Sequence, residues 1–369
     1  MIALFFKHVY NEFNDRRKSM RLIHYLLFIP PTLLGGWYLG SKLGASFHLK
    51  DSSTRKKFIF WSIILVFFTI NVCLLTPAAV IFLYTVMFYL IYDLTIWIAK
   101  KANAKSLIKF IKRISMGGVT FILLATTYTL YGVYKAKSPV ITNYTISVNK
   151  EIKNNGLTIM LLSDLHLGTG SDCNTIDYIV DQVNKANADI FLIDGDLFDE
   201  STKEEYKTCA YENLGTADTT YGTYYVEGNH DLLNDESRKK FNENNIRTLE
   251  DEVLMIDDSF YLVGRKDKDH VRLSLDELMT GIDHDYPIIL FDHRPEDEGQ
   301  AKNLGVDLQV AGHTHAGQLF PGNLFVQSGF KKDGDYHLII SSGFGTWGTA
   351  IRTSKSDELV EIFMQGKTQ

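Results

Sequence analysis

The chain has 369 residues, 45% of them hydrophobic and 22% charged, with a formal net charge of −6. Those proportions exclude a disordered, collagenous or low-complexity chain, and three scattered cysteines exclude a disulfide framework or a thiolate metal site. The charge is very uneven: residues 1–138 carry 18 Lys and Arg against four acids, a net of +14, while residues 139–369 carry 20 basic and 40 acidic residues, a net of −20. Such a division predicts two regions, 1–138 and 139–369, in different surroundings.

In the basic region, four apolar stretches near 22–41, 58–75, 77–99 and 115–134 each approach the ~20 residues with which a helix crosses a bilayer. Only Asp93 interrupts them with a charge, and basic clusters separate them, which predicts an all-α region of about four membrane helices. Pro30-Pro31 and Gly35-Gly36 interrupt the first stretch and predict a kink or incomplete insertion. The second and third meet at Thr76-Pro77 with no polar loop, as a tight hairpin would. Asp93 lies close before Trp97 and Lys100, where an interfacial position is expected. Cys73 reads as a small buried hydrophobe, and Cys173 and Cys209 can pair, although their spacing does not require it.

Lysine and arginine bias orients the spans. With the 42–57 and 100–113 linkers in the cytosol, eleven positive residues lie inside and seven outside. The acidic half is then extracytoplasmic, although the basic N-terminus opposes that arrangement. The run Lys100 to Arg113 reads as a basic amphipathic helix on an anionic leaflet.

From about Thr145 the pattern becomes α/β. Apolar runs at 157–162, 190–193, 223–226, 287–291 and 308–311 each end in Asp, Asn or His, and 174–186 and 235–244 read as helices between them. Near-continuous apolar strands alternating with helices predict a sheet covered on both faces, with the chemistry in the loops beyond the strand ends. Those ends supply Asp164, His166, Asp196, Asn229, His230, His293, His313 and His315. Asp164 and His166, like His313 and His315, are two residues apart, so an extended segment turns both members of a pair to one side. Oxygen and imidazole donors without thiolate suit manganese, iron, zinc or nickel. Clustering so many ionisable groups is costly unless a cation compensates.

The blocks Asp164-Leu-His166, Gly195-Asp196-Leu-Phe-Asp199, Gly228-Asn229-His230-Asp231, His293 and Gly312-His313-Thr-His315 occur in this order over about 150 residues. Together they resemble the calcineurin-like metallophosphoesterase superfamily, and within it the bacterial membrane- or cell-wall-associated branch. The resemblance covers roughly 156–362 and implies a four-layer α/β/β/α sandwich. It also implies two divalent metal ions (Mn, Fe or Zn), one on Asp164, His166, Asp196 and His315, the other on Asp196, Asn229, His293 and His313. Asp196 would bridge them with its two oxygens. A phosphomonoester or phosphodiester would be hydrolysed through a metal-bridging hydroxide, with His230 stabilising the phosphoryl group or protonating the leaving oxygen. Asp199 and Asp231 would orient imidazoles or backbone. Ala316 stands where that branch usually has glycine, a change of little weight unless the backbone there needs positive φ. Ala350-Ile-Arg352 stands where it has Pro-x-Arg, with Arg352 a candidate contact for a substrate anion.

Gly343-Phe-Gly345-Thr-Trp-Gly348 fits a dinucleotide-binding pattern, but the 21 residues that follow it open without a helical pattern, so that reading fails. A net charge of −20 over residues 139–369 argues against nucleic acid as a partner. The expected partners are a phosphoester substrate and membrane lipids, and a bilayer tether makes a lipid-linked or cell-envelope phosphoester a reasonable substrate. The alternative from another class is a non-catalytic membrane protein that uses the fold to bind or sense.

Overall fold

The computed structural model describes residues 33–42, 56–57, 60–61, 64, 76–115, 118–199, 202–231 and 233–367. The chain divides into two compact units, Met1–Tyr131 and Gly132–Gln369.

In the first unit, α1 (Pro77–Lys101) starts where Thr76 caps the helix and Pro77, lacking an N–H, fills its first turn. Among the described residues it is the one helix long and apolar enough to cross a membrane. Asp93 on α1 is ion-paired rather than simply solvated: Tyr38 Oη donates to it at 2.6 Å and Lys42 Nζ at 2.7 Å. Residues 33–42 form an unbroken helix, so Gly35-Gly36 do not interrupt the chain there. The rest of the first expected span, most of the second and the hairpin turn before Thr76 lie outside the described residues. α2 (Lys105–Ile114) is the basic amphipathic helix, with no buried residue. α3 (Val119–Lys135) has 17 residues and at ~1.5 Å per residue falls short of a ~30 Å hydrocarbon core. Among the described residues the structure therefore supports one spanning helix, where the sequence suggested four over the whole region.

The second unit begins at the last turn of α3 and holds two six-stranded mixed sheets. Sheet one runs β1 (Val140–Ser147), β12 (Glu358–Gln365), β2 (Leu157–Ser163), β3 (Ile190–Asp194), β4 (Thr223–Val226), β5 (Ile246–Thr248). Sheet two runs β10 (Gly329–Asp333), β11 (Tyr336–Ile340), β9 (Leu308–Ala311), β8 (Ile288–Phe291), β7 (Phe260–Gly264), β6 (Glu252–Ile256). Strands β2 to β5 pair in parallel, as do β7, β8, β9 and β11.

Strand periodicity assigns each apolar residue to a layer. Ile159, Leu161, Ile190 and Leu192 join Ile289, Phe291, Leu308 and Val310 in a core between the sheets. Their neighbours Met160, Leu162, Phe191 and Ile193 turn outward onto α4 (Cys173–Lys185), α5 (Glu204–Leu214) and α6 (Asp235–Glu243). On the far side Ile288 and Leu290 pack under α7 (Leu275–Leu278) and α8 (Glu298–Asn303). The result is four layers, α/β/β/α. Cys173 and Cys209, on α4 and α5, have Cα atoms 6.0 Å apart, within disulfide range.

Candidate metal centre

The parallel strands of both sheets release their C-terminal ends toward one place. β2 delivers Asp164 and His166, β3 Asp196, β4 Asn229 and His230, β8 His293, and β9 His313 and His315. Five of these leave their strands in the left-handed region: Asp164 (φ +54°), His166 (+43°), Asp196 (+49°), His313 (+66°) and His315 (+47°). Asp and His tolerate that backbone better than bulky or β-branched residues do. Glycine is required where chains nearly touch. A Cβ on Gly195 (φ +66°) would meet Gly228 N at 2.6 Å and His293 Nδ1 at 2.7 Å, and one on Gly312 would overlap Ser163 Oγ and the Asp164 carboxylate.

The donors form two adjacent clusters, Asp164/His166/His315 and Asp196/His293/His313, each with its candidate ligand atoms within 4.8 Å of one another. His166 Nε2 and His315 Nε2 face each other at 3.1 Å. Burial pushes His166 down to about 4 and His315 well below the usual histidine value, so both rings are neutral near pH 7. Asp196 Oδ2 lies 3.2 Å from His293 Nε2 and 3.8 Å from His166 Nε2. One oxygen thus faces both clusters. The other, Oδ1, accepts the His230 N–H at 2.8 Å.

Asp164 Oδ2 accepts from the His313 N–H at 2.9 Å and lies 2.5 Å from Ser163 Oγ, and burial pushes its carboxyl up to about 6. Burial works against the Asp196 carboxylate too, but His293, its hydrogen bond and His166 hold it well below the usual range. His293 donates from Nδ1 to the Asp194 carbonyl at 2.7 Å, which turns Nε2 toward Asp196. Burial opposes its charge, yet Asp196, Asp164 and Asp194 raise it well above the usual histidine value. Burial, with His293 nearby, brings His313 down to about 4. Asn229 Oδ1 is buried with no hydrogen-bond partner among the described residues, as a waiting oxygen ligand would be. This donor set fits two divalent cations.

The remaining predicted residues divide by position. His230 is half-buried, its ring 5.3 Å from that of His166 and 5.8 Å from that of Trp347. Asp231 accepts the N–H groups of Asp196 at 2.7 Å, Gly228 at 2.8 Å and Phe198 at 2.9 Å, tying the β3 and β4 loops together. Asp199 accepts from Thr169 Oγ1 at 3.4 Å, and its own N–H reaches Thr202 Oγ1 at 2.9 Å. Arg352 is not a surface residue. It is fully buried, paired with Asp357, and donates to the carbonyls of Gly345 (2.5 Å) and Gly343 (3.1 Å), holding the glycine-rich loop against the site. That loop adds bonds from Phe344 N to Ser163 O and from Gly345 N to Asp164 O. Ala316 sits at φ +48°, so the backbone does require the conformation glycine prefers.

Sequence reasoning missed Ser163 and Asp194. Asp194 is fully buried and leaves both carboxyl oxygens without a hydrogen-bond partner among the described residues, and burial raises its pKa well above the usual value. An Asp as the last residue of an all-buried strand was the available signal. Gln318 receives the Trp347 N–H at 2.9 Å and donates to the Trp347 and Thr349 carbonyls at 3.1 Å.

Residues 157–317 match the family model of the calcineurin-like phosphoesterases. A Helicobacter pylori (strain J99) protein bearing the name metallophosphoesterase is 31% identical over 246 residues, 61% of this chain and 63% of that protein. An Aquifex aeolicus metallophosphoesterase is 29% identical over 61% of this chain and 91% of its own length. A Danio rerio protein called a transmembrane protein with metallophosphoesterase domain is 28% identical over 67% of this chain and 62% of its own length. The chain thus spans somewhat under two thirds of the Helicobacter relative. Residues 157–317 thus form a calcineurin-like phosphoesterase domain.

Proposed function

We propose that the chain is a membrane-anchored phosphoesterase with two divalent cations, cleaving a phosphomonoester or phosphodiester of a lipid-linked or cell-envelope substrate. The observation that carries this reading is the opposition of His166 Nε2 and His315 Nε2 at 3.1 Å beside an Asp196 oxygen that faces both clusters. The two nitrogens are close enough to hydrogen-bond to each other, and with the Asp164 carboxylate converging on the same place they are also placed to share one cation. One ion, of manganese, iron or zinc, would take Asp164, His166, Asp196 and His315. The other would take Asp196, Asn229, His293 and His313. When bound, such a pair lowers the pKa of water and neutralises phosphoryl oxygens.

The chain's own residues supply the rest. His230 has its backbone N–H fixed by Asp196 Oδ1 while its half-exposed ring points past His166, where it can protonate a leaving oxygen. Asp231 and Arg352 act as positioning residues, one on the β3–β4 loops, the other on the glycine-rich loop. Asp199 supports the His166 side of the site through Thr169 and Thr202.

Membrane attachment rests on α1, on the composition of residues 1–138 and on the transmembrane name of the Danio rerio relative. Four spans with an extracytoplasmic second unit is the finer form of this reading. The Cys173–Cys209 placement supports that side, because a persistent disulfide belongs to an oxidising compartment. A cysteine placed near Lys367 should react with an impermeant thiol reagent in intact cells, and one in 100–113 should not. The reverse pattern moves the unit to the cytosol.

His230→Ala tests the chemistry. It should keep both metals and lose about 10²–10⁴ in turnover with alkoxide leaving groups, and less with an activated aryl ester. Equal losses would assign His230 to phosphoryl stabilisation, and loss of a metal would make it a ligand.

A further inference from the structure

Residues 139–369 hold 40 acids, yet 308–332 and 336–356 contain not one Asp or Glu. Within the first of these acid-free stretches, directly after the His313/His315 segment, the chain exposes neighbouring large apolar side chains. Leu324 is 67% exposed and Phe325 82%, flanked by Phe320 at 37% and Val326 at 39%. Scattered exposed apolar residues are ordinary on a soluble surface; a contiguous group of this kind marks a contact. Trp347, from the second acid-free stretch, is 42% exposed, and its ring lies 5.8 Å from that of His230.

These segments are fastened to the end of α3. Phe320 N donates to Thr353 Oγ1 at 2.9 Å, Thr353 N to the Gln318 carbonyl at 3.0 Å, and Arg352 N to the Gly132 carbonyl at 3.0 Å. Lys135 Nζ donates to the Ser354 carbonyl. The last turn of α3 carries Tyr134, 69% exposed, then Lys135 and Lys137, an aromatic and lysine grouping suited to a headgroup region. Lys332 and Lys355, both exposed, add positive charge within or beside the two acid-free stretches, while Lys331 is paired with Glu298.

We propose that the turn Leu319–Val326, with Trp347, is a membrane-interface surface of the second unit, seated in the headgroup and upper acyl region of an anionic bilayer. It rests on the membrane-anchored reading above. Apolar side chains enter the interface while Lys332 and Lys355 meet lipid phosphates, and the two acid-free stretches themselves add no charge that an anionic surface would repel. The substrate class follows: an amphiphile whose phosphoester lies at the bilayer surface and reaches His230 past Trp347.

The test uses the full chain in nanodiscs of equal phosphatidylglycerol and phosphatidylcholine. Phe325→Trp adds one indole, read as the emission difference from wild type. That difference should be quenched by dibrominated phosphatidylcholine and spared by aqueous iodide. Quenching by iodide would leave the turn in water, and shielding from both would mean that protein covers it; either result overturns the proposal. The double variant Leu324→Ser with Phe325→Ser should keep wild-type turnover of aqueous 4-nitrophenyl phosphate and bis(4-nitrophenyl) phosphate. Its turnover of bilayer-embedded hexadecyl 4-nitrophenyl phosphate should fall on the order of tenfold. Equal turnover of the embedded ester by variant and wild type would also overturn it. If wild type cleaves no ester, the catalytic reading fails, while the quenching result still decides the surface.

Discussion

The two metal clusters are built from similar donors but held by different means. In the Asp196 cluster, His293 Nδ1 is fixed to a backbone carbonyl at 2.7 Å and Asp196 Oδ1 to a backbone N–H at 2.8 Å, so both side chains are aimed before any cation arrives. In the Asp164 cluster, His166 Nδ1 is buried with no hydrogen-bond partner among the described residues, and His315 Nδ1 has only the Arg352 guanidinium at 3.4 Å. A hydrogen bond on the distal nitrogen raises a histidine's affinity for metal and fixes its tautomer. Asp164 is itself held by the His313 N–H and Ser163, so the contrast lies in the imidazoles: His293 is aimed in advance, while His166 and His315 lack a comparable anchor on Nδ1.

The strongest way to break this contrast is Asp196→Asn. Because one Asp196 oxygen faces both clusters, the variant should lose metal from both and drop turnover to background, read by elemental analysis and ester hydrolysis. Wild-type stoichiometry and turnover would dissolve the shared-oxygen geometry. A smaller effect is expected from His166→Ala, which should release one ion and retain the other. Its mirror, His293→Ala, should disturb both, since His293 is the ring nearest the shared oxygen. Graded chelation of the wild-type protein should show a step from two ions to one, with the Asp164 cluster emptying first. A single-step loss of both would mean that the carbonyl at His293 confers no advantage.

Asp231→Ala sharpens the comparison from the protein side. It strands three backbone N–H groups, at about 1–3 kcal/mol for each that stays buried and unsatisfied, so the unfolding midpoint in urea should fall substantially. The smallest effect belongs to Ala316→Gly. Relief of a left-handed alanine is worth about 1–2 kcal/mol, and the greater unfolded-state freedom of glycine offsets about 0.5–1 of it. A melting-temperature gain of a few degrees at most should follow, with metal content unchanged.

Much of this was legible in the sequence for a simple reason. β2, β3, β4, β8 and β9 are buried except at Thr158, so each appears as a largely apolar run that stops at a polar residue. The edges were not legible. β1 alternates exposed and half-buried residues, β10 is largely exposed, and β5 has only three residues. The burial of Arg352 was invisible because its partners, Asp357 and the carbonyls of Gly343 and Gly345, assemble only when the last strand returns beside β2. Apolar composition marked α1 correctly, but it could not reveal that Tyr38 and Lys42 would meet Asp93.

Five donor residues share left-handed backbone, and at roughly 1–2 kcal/mol apiece their combined strain rivals the whole net stability of a typical domain. Binding that occurs only in the folded state returns such a deficit in proportion to the free concentration of the ion, about 2.7 kcal/mol for each site at a hundredfold excess over its Kd. On the proposed two-cation reading, the lifetime of this chain in a cell is then coupled to metal homeostasis. Starved of its ion, the protein should disappear through proteolysis of its opened form, so that its abundance, and not only its turnover, reports the supply of the ion.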